Sequence, residues 1–357
     1  MSPDQHQHAH EDSTAIGPHA GGAAGPEPRP GTGPASVPPP GDVVTILPEG
    51  RTVFGMQLPI QSQSTMYAQA WEAAAGAAEL AQIALACESA GFFYVGVCDH
   101  TFIPERLAGA MSTTWYDTVA TLGWLAGVTT RIRLLSHVYV VALRHPLRAA
   151  KEFATLDALS GGRVICGVGA GHVKEEFDLL GPPFDRRGPA TDEAITALAS
   201  ALTHEFPLLD GPRWPASGLG QRPRPVQAPR PPIWTGGSSP AALRRTARFA
   251  DGWLPQSLGP NAELVTTLRR MREEDRPGAP LDIGGLTDCL HVGTPPDGLE
   301  IPPRTVHGSP DQIAAYLRTF TAAGVGQVQV RFPSRGASEL CDQIAAFGAE
   351  VAPLVDR

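Results

Sequence analysis

Short apolar runs alternate along most of this chain with longer segments in which apolar residues recur every three or four positions. Short apolar runs are typical of strands that are buried on both faces, and the periodic segments are typical of helices packed on one side. The predicted strands cover residues 52–59, 93–98, 132–141, 164–168, 232–235, 252–255, 283–292 and 326–332. The predicted helices cover residues 68–90, 115–128, 146–159, 189–203, 241–249, 261–274, 310–323 and 338–351.

This alternation of strand and helix indicates parallel strands joined by right-handed crossovers. Eight such units are the number and order of a (β/α)₈ TIM barrel with insertions. Residues 206–232 are rich in proline and follow no regular pattern, so they form the main predicted insertion. A doubly wound open sheet is the alternative, because spacing alone does not fix the order of strands.

The amino-terminal segment has a different composition from the rest. Of the first 41 residues, 9 are proline and 7 are glycine, and large apolar side chains are nearly absent. Such a segment buries too little surface to offset the entropy lost on ordering. We therefore expect a disordered tail over residues 1–48 and one barrel domain over residues 49–357.

Composition and charge exclude several classes of protein. The net charge is −8 and no basic stripe interleaved with aromatic residues occurs, which argues against nucleic acid as a partner. No run of 18 apolar residues exists, so no membrane span is predicted. The five cysteines are scattered without a CxxC pair, which argues against disulfides and structural zinc and favours a reducing cytoplasm. No spacing typical of a metal site, a P-loop or a serine-hydrolase motif is present, so no metal is expected.

Candidate polar residues follow three of the predicted strands, at the end where parallel barrels bind their ligands, and lie within a fourth. Asp99-His100 follows the second strand, His137-Val138 lies in the third, 169–172 (GAGH) follows the fourth, and 236–239 (GGSS) follows the fifth. His100 is the candidate catalytic acid or base, since histidine transfers protons near neutral pH and a neighbouring carboxylate can orient it. The alternative is that Asp99 and His100 only close a turn.

The two glycine-rich loops suggest a place for a cofactor. Gly236, Gly237 and Ser238 precede a helix, where backbone N–H groups and the helix dipole favour a phosphate, although an ordinary helix cap has the same sequence. Gly169, Ala170 and Gly171 leave the backbone bare at a strand end, although a tight turn would also explain them. A lone histidine inside a strand, such as His137, is more often a core residue than a catalyst.

Several longer stretches together resemble the bacterial-luciferase-like superfamily of flavin and deazaflavin oxidoreductases. The resemblance covers residues 52–354, and its motifs lie at 95–100 (VGVCDH), 131–146, 155–188, 231–255 and 307–332. Within the superfamily the chain is most similar to the group that uses coenzyme F420, with FMN-dependent monooxygenases next.

The resemblance implies a TIM barrel with the cofactor ring at the carboxyl ends of the strands. It implies that Asp99 contacts the ring system and that His100 faces its reactive edge. It further implies a non-prolyl cis peptide at His137-Val138 that shapes a bulge behind the ring. Close backbone approach to the cofactor is implied for Gly169, Ala170 and Gly171, and phosphate binding for Gly236, Gly237 and Ser238. A homodimer is also expected from the resemblance alone.

The expected activity is hydride transfer between F420 and a small organic substrate. The alternatives are an FMN-dependent monooxygenase that uses oxygen and a separate reductase, and a binding protein without catalytic activity. His172 stands where sugar-phosphate-oxidising members carry an acidic residue, and Pro104 stands where they carry tryptophan, which argues against glucose-6-phosphate as substrate. The aromatic side chains of Phe102, Trp115 and Tyr116 suggest an apolar or mixed organic substrate.

Overall fold

The strands close into a parallel barrel. A computed structural model describes residues 41–65, 68–211 and 213–356. The barrel strands are β1 (Val53–Gln57), β2 (Tyr94–Val97), β3 (Arg133–Ser136), β4 (Tyr139–Val140), β5 (Val164–Gly169), β6 (Ile233–Gly236), β7 (Gly252–Leu254) and β8 (Asp282–Leu286), with β11 (Gln327–Gln329). Two further strands, β9 (Leu290–Val292) and β10 (Val306–Gly308), pair only with each other.

Every barrel pairing is parallel, and β1 pairs with both β2 and β11. The order continues from β2 through β3, β5, β6, β7 and β8 to β11, so no barrel strand is left with an open edge. Because β4 continues the path of β3 along β5, the two together occupy one of eight barrel positions. The predicted (β/α)₈ fold is confirmed, and the open doubly wound sheet is excluded.

Helices follow the strands around the outside of the barrel. They are α1 (Ala77–Ser89), α2 (Glu105–Met111), α3 (Thr118–Val128), α4 (Pro146–Ser160), α5 (Lys174–Leu180), α6 (Arg187–Thr203), α7 (Pro240–Phe249), α8 (Ala262–Asp275), α9 (Pro310–Ala322), α10 (Ala337–Ala346) and α11 (Ala352–Val355). Single 3₁₀ turns occur at Ala70–Ala74, Val141–Leu143 and Phe184–Arg186, and a π turn joins α10 to α11 at Phe347–Val351. Among the described residues, no helix has the length and apolar character needed to cross a membrane.

The predicted end of α4 and the buried strand after it are confirmed. Gly161 and Gly162 both have positive φ, +71° and +85°, as a left-handed helix end requires. All six residues of β5 are buried. The Asp157 carboxylate accepts hydrogen bonds from the backbone N–H groups of Val226 and Gln227, which ties the irregular insertion to this corner.

Three predicted elements are each divided into two in the structure. The helix predicted over 68–90 is two pieces, because the buried Glu72 carboxylate accepts from the N–H groups of Ile60 and Gln69 and holds the first piece as a 3₁₀ turn. The strand predicted over 132–141 is interrupted by a bulge that separates β3 from β4. The strand predicted over 283–292 leaves the barrel after Leu286, and its second half pairs with β10 instead.

Side chains from neighbouring strands fill the barrel. Tyr94, Leu135, Ile165, Trp234 and Leu254 form a buried cluster of their own, separate from the larger core between strands and helices. Large aromatic side chains in this layer leave no room for a central pore, so a ligand can enter only at an end of the barrel.

A short segment ahead of β1 binds the amino-terminal end of the barrel. The backbone N–H of Val44 donates to the Asp251 carboxylate at 2.9 Å, and that of Ile46 donates to the Asp282 carboxylate at 2.9 Å. Asp251 also pairs with the buried Arg230 guanidinium at 2.6 Å. Residues 41–48, assigned to the disordered tail by composition, therefore include residues that contact the barrel. The rest of that predicted tail, residues 1–40, lies outside the described residues.

Candidate active site

All ten residues predicted for the site line one cavity of about 730 Å³. It opens at the carboxyl ends of β2, β4, β5 and β6, the end of a parallel barrel where ligands bind. The ten residues are Asp99, His100, His137, Val138, Gly169, Ala170, Gly171, Gly236, Gly237 and Ser238. Of the three aromatic residues expected to face a substrate, Trp115 lines the cavity, whereas Phe102 and Tyr116 do not.

His100 is bonded to a carboxylate that the sequence did not reveal. Its Nδ1 lies 2.8 Å from Oε2 of Glu176, and the two side chains are only 9% and 3% exposed. The other Glu176 oxygen accepts from the backbone N–H groups of Thr101, at 2.6 Å, and Phe102, at 3.3 Å. Burial raises the pKa of Glu176, but the hydrogen bonds from His100 and Thr101 outweigh it and leave the pKa below its ordinary value. Glu176 is therefore ionised at neutral pH and can only accept hydrogen bonds.

Two other rings pack edge-on against the His100 ring. The Trp115 ring centroid lies 4.5 Å away and that of His172 lies 5.3 Å away. The indole N–H of Trp115 donates to the carbonyls of Met111 and Ser112, which fixes the orientation of the indole. Burial lowers the pKa of His172, and the charge of His100 lowers it further, so His172 is uncharged at neutral pH.

Asp99, which precedes His100 in the chain, has its carboxylate hydrogen-bonded to other residues of the protein. Its carboxylate oxygens accept from both terminal nitrogens of Arg144, at 2.6 and 2.8 Å, and from the backbone N–H of Val140 at 2.7 Å. The Arg144 guanidinium also lies over the Tyr139 ring, 4.2 Å from its centroid. Asp99 therefore fixes β4 to the end of β2, and its neighbour His100 with it.

The peptide bond between His137 and Val138 is cis, as the family resemblance implies. The backbone N–H of His137 still donates to the Val97 carbonyl at 2.7 Å. Burial lowers the pKa of His137 to about 4, with a further contribution from the charge of Arg331, so this ring is neutral at pH 7. A neutral, only partly exposed ring fits a wall of the cavity better than a proton-transfer group.

The methyl groups of Val138 explain two of the glycines. A Cβ at Gly169 would lie 2.6 Å from one Val138 methyl, and a Cβ at Gly236 would lie 2.9 Å from the other. Gly171 has φ +75° and would place a Cβ 2.7 Å from Val140. Packing of the protein against itself therefore requires these glycines, whatever the cavity holds.

The loop after β6 serves partly as a helix cap. The Ser239 hydroxyl accepts from the backbone N–H of Ala242, and the Gly237 N–H donates to the Leu254 carbonyl at 3.0 Å. The Ser238 hydroxyl lies 3.1 Å from that of Ser257. The capping alternative thus holds for Ser239, while Gly236, Gly237 and Ser238 line the cavity at the start of α7.

Positive charge lies beside this loop, where the sequence gave no clear signal. Arg187 and Arg245 both line the cavity next to the start of α7. Two guanidinium groups and the positive end of a helix make this wall suitable for a phosphate. His100 and Trp115, both only partly exposed, also line the cavity. The cavity therefore fits a cofactor with a planar ring at one end and a phosphate at the other. Among the described residues, no group of three or more potential metal ligands occurs.

Sequence reasoning missed Glu176 and Arg245, and it interpreted Arg187 as a solvated surface arginine, although an anion was the alternative. Glu176 is one of two adjacent acidic residues in the first turn of α5, and acidic residues are common there because they offset the helix dipole. Arg187 and Arg245 look like ordinary exposed arginines until the fold brings α6 and α7 together. The only available signal was the pair of glutamates closely following the glycine loop.

Curated proteins of similar sequence include an uncharacterized protein and an F420-dependent enzyme. An uncharacterized protein of Mycobacterium tuberculosis is 36% identical over 161 residues, which are 44% of this chain and 55% of that protein. The F420-dependent glucose-6-phosphate dehydrogenase of Nakamurella multipartita is 32% identical over 205 residues, 56% of this chain and 58% of that enzyme. The chain therefore spans little more than half the length of these two curated relatives.

A solved structure shares the fold. The coenzyme F420 dependent tetrahydromethanopterin reductase from Methanopyrus kandleri superposes with a TM-score of 0.66 at 21% identity, over 85% of this chain and 99% of that one. A family model described as luciferase-like monooxygenase matches residues 52–297. That match covers more than half of the chain and confirms the resemblance seen in the sequence: this protein belongs to the luciferase-like monooxygenase family.

Proposed function

We propose that this protein transfers a hydride between coenzyme F420 and a small organic substrate. The observation that carries the proposal is His100, which lines a cavity suited to a ring-and-phosphate cofactor and is bonded to the buried Glu176 carboxylate. An F420-dependent relative at 32% identity supports the choice of cofactor. When bound, the deazaflavin ring supplies or accepts the hydride, and this chain's residues position the reactants and move the proton.

In this proposal His100 transfers the proton through Nε2. The ionised Glu176 only accepts hydrogen bonds, so Nδ1 of His100 must carry a hydrogen toward it. That leaves Nε2 as the atom that gains or loses a proton as the substrate changes charge. Glu176 also stabilises the protonated ring, and Asp99, through Arg144 and Val140, holds the strand end on which His100 lies.

The other lining residues hold and shield the cofactor. The loop residues Gly236, Gly237 and Ser238, with Arg187 and Arg245, would bind its phosphate. Gly169, Ala170, Gly171, His137 and Val138 would contact its ring system. Trp115 and His172 flank His100 and would exclude water from the proton that it transfers.

An FMN-dependent monooxygenase is the second candidate, favoured by the description of the family model. Titrating the protein separately with F420 and FMN, followed by ligand fluorescence, distinguishes the two. We expect F420 to bind at micromolar concentration and FMN not to bind. Tight FMN binding with oxygen uptake by the reduced complex would replace the proposal with the second candidate. If neither F420 nor FMN bound, the cofactor-binding roles assigned to the two glycine-rich loops would be wrong.

A substrate panel then tests for catalysis. Oxidation or reduction of F420 is followed by its absorbance with alcohols, carbonyl compounds and activated alkenes. We expect turnover with at least one class, and its loss in His100→Ala with F420 affinity retained. F420 binding without turnover across the whole panel would indicate a binding protein instead of an enzyme.

A further inference from the structure

The two sides of the barrel mouth carry different kinds of residue. Strands β5 and β6 end in Gly169 and Gly236, which line the main cavity of about 730 Å³. In the closed order of the strands, β11 lies opposite β5 and β1 lies opposite β6. These two strands bring Gln57, Gln329 and Arg331 to the mouth. The proposed function uses the glycine side and gives this polar side no role.

The alternation of side chains along a strand directs these residues into the barrel. The valines on either side of Gln329 belong to the core between strands and helices, so Gln329 and Arg331 point toward the barrel interior. The register pairs Gly55 of β1 with Gln329, which places Gln57 beside Arg331 two residues further on. The three polar side chains are therefore neighbours at the carboxyl ends of adjacent strands.

All three polar residues line a small cavity of about 60 Å³. A water molecule needs about 10–15 Å³ of such volume, so the small cavity has room for a group the size of a carboxylate and not for a whole substrate. Gln329 is only 5% exposed, and its side-chain amide makes no hydrogen bond with any residue that the structure describes. The amide of Gln57 likewise has no described partner. Since an unpaired buried amide costs free energy, a polar ligand here would stabilise both groups.

The charge of this site is positive. Among the described residues that line the small cavity, Arg331 is the one with a positive side chain. Burial lowers the pKa of His137 and the charge of Arg331 lowers it further, as expected if the guanidinium lies near that ring. Glu72 also lines the small cavity, but its two oxygens accept from the backbone N–H groups of Ile60 and Gln69, both at 2.8 Å. A guanidinium beside two amide donors favours a planar carboxylate.

The small cavity lies next to the main one. Ser62, which lines the small cavity, pairs through its backbone with Trp115, which lines the main cavity. His137, near which Arg331 lies, also lines the main cavity. A molecule that reacts beside His100 can therefore extend a polar group to Arg331.

We propose that Arg331, Gln57 and Gln329 bind a carboxylate group of the substrate, an inference that rests on the proposed function. The substrate is then an organic acid whose reacting carbon lies beside His100. Arg331 supplies the positive charge, and the two amides donate further hydrogen bonds to the carboxylate oxygens. The site therefore selects acids over the neutral amides and esters of the same carbon skeleton.

Calorimetric titration of the full-length protein tests the inference without turnover. The probes are acetate, butyrate and benzoate, each compared with its amide, which has nearly the same shape and no charge. We expect at least one acid to bind about tenfold more tightly than its amide, equivalent to about 1.4 kcal/mol. The titrations use the protein without added cofactor, so that their result does not depend on the choice of F420.

Substitutions locate the preference. Arg331→Met should abolish it while affinity for the amides stays within twofold of wild type, and Arg331→Lys should retain part of it through the remaining charge. Arg335→Met is the matched control, because Arg335 also follows β11 but pairs with Glu339 and does not line the small cavity. Gln57→Leu should weaken acid binding severalfold, and it keeps the test available if thermal unfolding shows that Arg331→Met does not fold.

Kinetics supply a second readout once the panel has identified a substrate. The acid and its methyl ester are compared by the ratio of their kcat/KM values. We expect the wild-type protein to favour the acid at least tenfold. Arg331→Met should raise KM for the acid with little change in kcat, and it should leave the KM of the ester unchanged.

Equal affinity for acids and amides, or no binding of any acid, would overturn the inference, and so would an equal preference in Arg331→Met and Arg335→Met. Each result leaves the proposed function intact if F420 supports turnover. Weaker F420 binding in Arg331→Met with an unchanged preference for acids would show that Arg331 serves the cofactor, and would also overturn it. Failure of F420 to bind a protein that still prefers acids would refute the proposed cofactor and leave the carboxylate site standing.

Discussion

Replacing Glu176 with glutamine measures how far catalysis depends on the carboxylate bonded to His100. The substitution keeps the shape of the side chain and an oxygen for the N–H of Thr101, but it removes the negative charge. The glutamine amide would donate to Nδ1 of His100, which forces the hydrogen onto Nε2 and leaves the ring in the wrong tautomer. When His100 is protonated, its positive charge would also lack the carboxylate that stabilises it in the wild-type protein.

The size of the effect follows from the contact. A hydrogen bond to a charged group contributes about 1.5–3 kcal/mol, and this one is 2.8 Å long with side chains 9% and 3% exposed, so salt screens it little. Since about 1.4 kcal/mol corresponds to a factor of ten in rate, kcat should fall about 10- to 150-fold. The Kd for the cofactor should stay within about twofold, because Glu176 does not line the cavity.

Glu175→Gln is the matched control. Glu175 is the adjacent residue of α5, but it pairs with Arg106 in a largely exposed ion pair, so its substitution should change kcat less than twofold. Steady-state kinetics with the substrate found in the panel, F420 fluorescence titration and thermal unfolding of both variants make the comparison. If Glu176→Gln kept the kcat of Glu175→Gln, or lost activity only through lower stability or cofactor affinity, the assigned role of Glu176 would be wrong.

Four further predictions concern the site and its support. His100→Ala should lower kcat by about 10²–10⁴-fold with cofactor affinity retained, as checked by kinetics and fluorescence titration. Asp99→Asn should lower the free energy of unfolding by about 3 kcal/mol in urea denaturation, because it breaks a largely buried ion pair with Arg144. Gly169→Ala should cost about 1–3 kcal/mol through its clash with Val138, whereas Gly127→Ala, in open space, should cost nothing. Burial raises the pKa of Asp282 from 3.8 to about 6, so its contribution to stability is present at low pH and is lost as the pH rises from about 4 to 6. Urea midpoints across this range should fall less in Asp282→Asn than in wild type, and equal slopes would contradict the assignment.

Local chemistry made most of the fold predictable. The Gly161-Gly162 turn, the fully apolar β5 and the proline at the start of α4 each specify one conformation without help from distant residues. Because strand and helix patterns alternate along the chain, the eight barrel positions could be counted from the sequence. The helices α2 and α5 were missed because each has only seven residues, too few for a helical period to stand out.

Breaks inside elements were less predictable, because distant contacts determine them. Residues 132–141 have the composition of one continuous strand, yet Asp99, which follows β2, accepts a hydrogen bond from the Val140 N–H, and the chain bulges at His137-Val138. Glu72 holds residues 70–74 as a separate 3₁₀ turn by accepting a hydrogen bond from the N–H of Ile60, which lies outside any helical pattern. Such polar contacts follow from the fold and leave no periodic signal.

The candidate site was predictable as a set of strand ends and unpredictable as a set of partners. Eight of the ten residues lie at strand ends and followed from barrel topology, whereas His137 and Val138 were placed at the site only by the family resemblance. Glu176 lies 76 residues from His100, and Arg144 lies 45 residues from Asp99, so the sequence could not indicate which charges meet. The alternative that Asp99 and His100 only close a turn is wrong, because both side chains bond to residues on other elements.

The contacts ahead of β1 also constrain when the protein can finish folding. Val44 and Ile46 bind carboxylates that lie 207 and 236 residues further along the chain, and β1 pairs with the last barrel strand, β11. While the ribosome is still adding the second half, these early residues have no partners, and β1 presents an unpaired edge that could recruit another chain. The barrel therefore closes only after β11 has been synthesised, so a chain that stopped before residue 327 would keep this edge of β1 unpaired.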